Sequence, residues 1–287
     1  MNQVCPICGS EKNIVFHNKT RDLPYLESKR CCNCNVLFLA NFDHIVDSHY
    51  QNSQMHADHS ITPEKWMQEG FSDDNRRFLM FKKLFENKNI LDVGCGAGGF
   101  LKLIQSFCSN AFGVELEKKL KNFHTKNKLK VFQEMEHLPY LKFDYISIFH
   151  VLEHIKNPIE FLKNLRQKLS NNGEIIIEVP HSEDALISLY NLQEFKDFAF
   201  WSNHLFVFNE SSLSFIAERV GMRINWIKYI QRYPLSNHLH WISKRQPGGH
   251  KLNISEKHPG VTLSYEKFLI ENKLTDTLIL SLKNDES

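Results

Sequence analysis

Long apolar runs are missing from this 287-residue chain. Nothing approaches the stretch of about 18 apolar residues that a membrane-spanning helix needs, and no apolar segment of the secretory-signal kind stands near the N-terminus. No membrane partner is therefore expected, and the expected location is the cytoplasm. A large excess of one charge is also missing. Lys and Arg number 35 against 33 Asp and Glu, a formal charge of +2, which is too small a basic excess to hold a phosphate backbone unaided. No internal repeat or low-complexity tract suggests a solenoid or a disordered chain. What is present is enough apolar content, 42%, for one full-sized core and a small appendage.

Four of the seven cysteines fall in two pairs: "CPICG" holds Cys5 and Cys8, and "RCCNC" holds Cys31 and Cys34. Without a secretion signal, two C-x-x-C knuckles a hairpin's length apart read as a tetrahedral zinc site rather than as disulfides. Each tight turn aims two thiolates at one ion, and Gly9 suits the backbone twist after Cys8. Cys32 is the odd residue out. A unit this small would hardly fold without a staple, so the ion's first role is structural, and a platform for substrate or partner is the alternative. The expected segments are a zinc ribbon at 1–40, a linker arm and leading helix at 41–88, and the main domain at 89–287, with insertions near 183–208 and 228–260. His44, His49, His56 and His59 in the arm lack regular spacing and read as solvated linker residues. The leading helix is expected to start near Ser72, with Phe78, Leu79, Phe81, Leu84 and Phe85 on its apolar face.

From Asn89 the pattern alternates. "NILDV" reads as a strand, "GGFLKLIQSF" as a helix, "AFGVEL" as a strand and "EKKLKNFHTKN" as a helix. The strand "LKVFQ" follows, then "FDYISIFHVL", a helix opened by Asn157 and Pro158, and the strand "EIIIEVP". Alternation of this length predicts a doubly wound, mostly parallel α/β sheet with its ligand at the C-terminal ends of the strands.

The stretch "NILDVGCGAGGF" concentrates the chemistry. Gly94, Gly96 and Gly99 satisfy G-x-G-x-x-G between strand and helix, a weak match to a dinucleotide fingerprint when taken alone. Asp92 tips the balance. A carboxylate at the strand end would repel a pyrophosphate, but it attracts the ammonium of S-adenosylmethionine, directly or through water. Glu115, ending the next strand, can accept both ribose hydroxyls of either cofactor. The plain structural alternatives are a turn cap for Asp92 and a solvated strand end for Glu115. With "FDYISIFHVLEHI" and "GEIIIEVP" following, the chain over roughly 85 to 225 resembles the class I S-adenosylmethionine-dependent methyltransferases.

That resemblance implies a seven-stranded sheet whose last strand, here "DTLILSLK", is antiparallel. It also implies that Gly94, Gly96 and Gly98 line the methionine moiety, Glu115 the ribose, and Glu134 with Met135 the adenine. His150 would sit beside the cofactor. Cys95 is expected to be a packed side chain, not a nucleophile. The ribbon, the "NHLFVF" segment and the C-terminal insertion resemble bacterial sugar and nucleotide-sugar methyltransferases that carry zinc modules.

A hydroxyl acceptor needs a base. His204, in the aromatic insertion "FAFWSNHLFVFNESSL", is our choice, and His181 after "EVP" comes second. His154 reads equally well as a histidine that pins the loop before Pro158. Asn237, His238, His240 and Arg245 lie on an insertion that could touch the acceptor or stay solvated. Three other readings stand beside the sugar methyltransferase: an RNA methyltransferase that binds through the ribbon, a non-catalytic cofactor-binding protein, and a nicotinamide oxidoreductase. The ribbon's Lys12, Lys19, Arg21, Lys29 and Arg30 read as solvation.

Overall fold

A computed structural model describes residues 4–46, 61–252 and 257–285. Three short strands come first: β1 (Asn13–His17), β2 (Ser28–Cys31) and β3 (Leu37–Leu39). Then follow α1 (Pro63–Phe85), β4 (Asn89–Val93), α2 (Gly99–Ile104), β5 (Asn110–Val114), α3 (Lys121–Lys126), β6 (Val131–Phe132), β7 (Phe143–Phe149), α4 (Pro158–Arg166) and β8 (Leu169–Pro180). The remainder comprises α5 (Gln193–Ala199), β9 (Phe206–Val207), α6 (Glu210–Val220), β10 (Met222–Ile230), α7 (Leu235–Lys244), α8 (Pro259–Glu271) and β11 (Thr277–Asn284).

Seven strands form one sheet in the order β10-β11-β8-β7-β4-β5-β6. Strand β4 runs parallel to both β5 and β7, and β5 runs parallel to β6. This is the expected α/β class. Central strands read as near-continuous apolar runs because both faces are covered: four of the five β4 residues and the first six of β11 are buried. "DTLILSLK" becomes β11, placed between β8 and β10.

The leading helix starts earlier than Ser72. Thr62 caps it, its side chain accepting from the Lys65 N–H at 3.2 Å, and Pro63 occupies the first turn. A Thr-Pro start is a stronger signal than the later Ser-Asp pair, and Gly70 within the helix costs only about 1 kcal/mol. His49, His56 and His59 lie outside the described residues.

Two compact units make up the chain. One gathers residues 1–42, 153–159 and 178–280, and the other 43–152, 160–177 and 281–287. They interleave along the sequence and so cut across the linear segments 1–40, 41–88 and 89–287. Within the first unit, the cysteine-bearing hairpin does not stand alone. Its strands form the sheet β1-β2-β3-β9, with Leu37 opposite Val207 and Phe38 opposite Phe206. Leu37, Val207 and Phe200 bury one another there, with Phe16 packed against them. The second unit holds β4, β5, β6 and β7 and the glycine-rich turn.

Candidate functional site

In the second unit, the turn after β4 is built from backbone conformations that a side chain resists. Gly94, Gly96 and Gly98 have φ values of 71°, 53° and 81°, in the left-handed region that glycine enters without penalty. Space is short as well. A Cβ on Gly94 would lie 2.4 Å from Val151 Cγ2, and one on Gly98 would lie 2.5 Å from Leu129 Cδ1. The first of these contacts explains why the two sequence motifs are informative together: Val151 of "FHVL" packs against the first glycine of the turn. His124 on α3 pins the turn from another side, its Nε2–H donating to the Gly96 carbonyl at 2.8 Å.

Carboxylates surround this turn. Asp92 is 3% exposed and accepts a hydrogen bond from the Ser147 hydroxyl at 2.7 Å. Burial, with help from the charges of Asp74 and Glu115 and against that hydrogen bond, pushes its carboxyl up to about 7. Burial also raises Glu115. One Glu115 oxygen accepts from the Gly96 N–H and the other from the Glu117 N–H, both at 2.8 Å. A carboxylate has about four lone-pair directions, so each oxygen keeps one acceptor direction for a vicinal diol. Asp74 reaches the start of α2, where a Cβ on Gly99 would lie 2.2 Å from its Oδ2, and it also pairs with Arg77 at 3.3 Å. With three acids around one turn, a cation-bearing ligand fits and a pyrophosphate does not. Helix α2 spans only six residues, so its dipole is a minor counterweight.

Asp74, Trp66 and His124 were missed in the sequence. Trp66 places its ring 3.0 Å from where a Gly96 Cβ would be. In the sequence Asp74 stands only in the Ser-Asp start expected for the leading helix, and the path of α1 brings its acid to the turn. Of the other cofactor candidates, His150 directly follows β7 with φ 55° and is half-buried. Glu134 is exposed and lies 3.7 Å from His137, while Met135 is half-buried at the start of a short 3-10 turn. Cys95 packs against Gly113, and burial raises its thiol well above the usual range, which suits a packed residue and not a nucleophile.

In the first unit, Cys5, Cys8, Cys31 and Cys34 converge, with all four Sγ atoms within 4.8 Å of one another. The pairs Cys5–Cys34 and Cys8–Cys31 stand 3.7 and 3.4 Å apart. Tetrahedral thiolates at a Zn–S distance of 2.3 Å would stand about 3.8 Å apart, so the donor set fits zinc. Cys32 is exposed and outside the cluster.

His204 is half-buried on a turn closed by its own N–H donating to the Trp201 carbonyl at 3.0 Å. Its ring centroid lies 5.0 Å from that of His154. His154 donates from Nδ1 to the Asn203 carbonyl at 2.7 Å, which turns its Nε2 lone pair outward from that anchor. The sequence reads His154 as pinning the loop before Pro158; its hydrogen bond instead holds the residue next to His204. Together with Glu153, the two histidines bring their ligand-type atoms within 4.8 Å of one another.

His181 is 3% exposed, with Nδ1–H donating to the Thr275 carbonyl at 2.9 Å. Burial lowers it to about 4, so it is neutral and a weak base. It lines a cavity of about 600 Å³ with Glu210, Tyr229 and Lys273. His238 was expected on an open insertion, but it is 1% exposed on α7. Its Nδ1 shares a hydrogen bond with the Tyr265 hydroxyl at 2.8 Å, and Asn237 is buried beside it. Both are packing residues. Apolar residues on α7 and the "HLHW" periodicity carried a signal that the polar letters obscured.

No helix among the described residues is long and apolar enough to cross a membrane. A family model described as a methyltransferase domain matches residues 64–225, more than half of the chain. Among curated proteins, an uncharacterized protein of Methanocaldococcus jannaschii is 36% identical over 125 residues, covering 42% of this chain and 53% of that protein. A tRNA U34 carboxymethyltransferase of Nautilia profundicola is 35% identical over 104 residues, covering 32% and 34%. The chain thus spans about half or less of the curated relatives it matches. Among solved structures, a SAM-dependent methyltransferase from Archaeoglobus fulgidus superposes with TM-score 0.50 at 21% identity, covering 78% of this chain and 95% of that one, a likeness of fold.

Proposed function

The chain belongs to the methyltransferase-domain family, and from that premise we propose that it transfers a methyl group from S-adenosylmethionine to a hydroxyl of a small, sugar-like acceptor. The observation that carries the cofactor is the buried Asp92 in a turn also faced by Asp74 and Glu115. When bound, S-adenosylmethionine supplies an activated methyl group. Asp92 would attract its ammonium, Gly94, Gly96 and Gly98 would leave room for the methionine moiety, and Glu115 would accept from the ribose hydroxyls. Glu134 and Met135 are assigned to the adenine and His150 to the cofactor's flank.

His204 would accept the proton of the acceptor hydroxyl, and His181 remains the second choice. A neutral imidazole suits this role because a hydroxyl is nearly unionised at neutral pH; general bases contribute about 100-fold to 10,000-fold. Cys5, Cys8, Cys31 and Cys34 would hold one zinc ion, which ties the two knuckles of the ribbon. Against RNA as the acceptor, three of the ribbon's five named cations are engaged within its own unit. Arg21 lies over Phe198 and Trp201, Arg30 over Phe16, and Lys19 pairs with Asp197 at 3.0 Å.

The test is mass spectrometry of the ligand released from purified protein, followed by labelled methyl transfer to a panel of nucleotide sugars and to tRNA. S-adenosylmethionine or its demethylated product, with label on a sugar oxygen that is lost in His204→Ala, is the expected result. A nicotinamide dinucleotide in the released ligand would overturn the cofactor reading. Label in tRNA alone, or on carbon or nitrogen, would overturn the acceptor reading.

A further inference from the structure

The turn that carries His204 is held by residues about 180 positions earlier in the chain. Between β1 and β2, the loop Thr20–Leu23 is closed on itself: the Thr20 N–H donates to the Leu23 carbonyl and the Leu23 N–H to the Thr20 hydroxyl, both at 3.1 Å. Thr20 is buried, so this loop is a firm support. From it, the Arg21 N–H donates to the Phe200 carbonyl at 2.7 Å. Asp22 Oδ1 accepts from the Ser202 N–H at 3.0 Å, and its Oδ2 accepts from the Ser202 hydroxyl at 2.5 Å. Although burial pushes the Asp22 carboxyl up, these hydrogen bonds prevail and hold it below its ordinary range. It is therefore a full charge at neutral pH and a strong acceptor. The Arg21 guanidinium lies 5.2 Å from the Phe198 ring and 5.0 Å from the Trp201 ring.

Further along, the Leu39 N–H donates to the Leu205 carbonyl at 3.0 Å, and β3 pairs with β9 immediately after it. The segment is thus fixed at Phe200, Ser202 and Leu205 by the cysteine-bearing hairpin, and at Asn203 by His154.

We propose that the ribbon is a positioning device, with Asp22 as the positioning residue that fixes the turn bearing His204. A metal in the cysteine cluster would then govern the orientation of that histidine. This rests on the reading of His204 as the base. It gives the ribbon a task other than substrate capture. Small displacements of a reacting group cost large factors in rate, about 100-fold for 1 Å, whereas cofactor binding draws on groups in the other unit.

The test uses the whole 287-residue chain, loaded with zinc. Asp22→Ala is expected to lower kcat by about 10-fold to 100-fold while zinc content and S-adenosylmethionine affinity stay within about twofold. Asp22→Asn, which keeps an acceptor for the Ser202 amide, should recover most of the loss. In a His204→Ala background, Asp22→Ala should add less than about twofold, because groups that act as one unit are not additive. A fully additive loss would overturn the proposal, since Asp22 would then act through general stability.

Hydrogen exchange reads the clamp without catalysis. The amides of 201–204 should exchange at least about 10-fold faster in Asp22→Ala, and also in wild-type protein stripped of zinc by a chelator, while amides of the glycine turn are unchanged. Unchanged exchange at 201–204 would overturn the proposal whatever the kinetics. Faster exchange combined with normal turnover in His204→Ala would support the clamp and sink the base reading instead.

Discussion

Two turns carry the candidate site residues of this protein, and they are made in opposite ways. The turn at Gly94–Gly98 is written in consecutive residues. Three glycines with φ of 71°, 53° and 81° permit a backbone path that other residues resist, and the flanking strand ends supply Asp92 and Glu115. The turn at Trp201–His204 has no glycine code, and its internal tie is the His204 N–H donating to the Trp201 carbonyl. Its residues adopt their course because Arg21, Asp22 and His154 hold the backbone from elsewhere in the unit. The first turn is specified by what its own residues can do, and the second by what distant residues do to it. A local turn should therefore fail by changes within it, and a clamped turn by changes far from it.

The most severe way to break the contrast is to remove the staple. Cys5→Ser with Cys34→Ser should abolish zinc binding, whose free energy is folding free energy of about 10–16 kcal/mol in small zinc modules. Elemental analysis should show less than about one-tenth occupancy. Turnover should fall below detection while cofactor still binds, as read by calorimetric titration. Retained zinc would remove the four-cysteine assignment.

Next in size is Glu115→Ala, which strikes the local turn alone. Loss of two charge-assisted hydrogen bonds should cost about 2 to 4 kcal/mol of S-adenosylmethionine affinity and leave zinc content intact. Unchanged affinity by calorimetry would dismiss the ribose assignment.

A smaller effect comes from pH. Burial raises free Asp92 to about 7, and an ammonium partner favours its ionised form, so binding below that pH must release a proton. Affinity should then fall about tenfold for each pH unit below 7 and level off above it. Titrations in buffers of different ionisation enthalpy would count the proton, and Asp92→Asn should flatten the slope.

Smaller still, Gly98→Ala puts a Cβ at φ 81° and 2.5 Å from Leu129 Cδ1. About 1 to 2 kcal/mol of stability should be lost from the left-handed backbone alone, measured by denaturant unfolding. Hydrogen exchange at 201–204 should not change. At the bottom of the scale, Cys32→Ser should leave zinc content at one ion per chain, because Cys32 is exposed and outside the cluster.

Much of the architecture was legible because its signals are short-range. Alternating apolar strands and amphipathic helices announced the parallel sheet, the C-x-x-C pairs announced the convergence of Cys5, Cys8, Cys31 and Cys34, and the glycine turn announced itself by composition. Helix α1 starts at Pro63 and not near Ser72, because Gly70 and the polar letters before it mask the Thr62–Pro63 start. His238 and Asn237 looked like open-surface residues for a related reason: polar side chains with buried partners cannot be told from solvated ones until those partners are known.

The sequence by itself determined the backbone path at Gly94, Gly96 and Gly98, the acids at the ends of β4 and β5, and the four thiols. The glycine path and each C-x-x-C pair depend on residues within a few positions of one another, where steric and hydrogen-bonding rules act directly. Only the tertiary structure decided that Asp74 and Trp66 reach the glycine turn, that His154 and His204 come together, and that Asp22 holds Ser202 across 180 residues. Those contacts follow from how buried surfaces pack, and packing is settled by the whole core at once, with no local pattern to carry it.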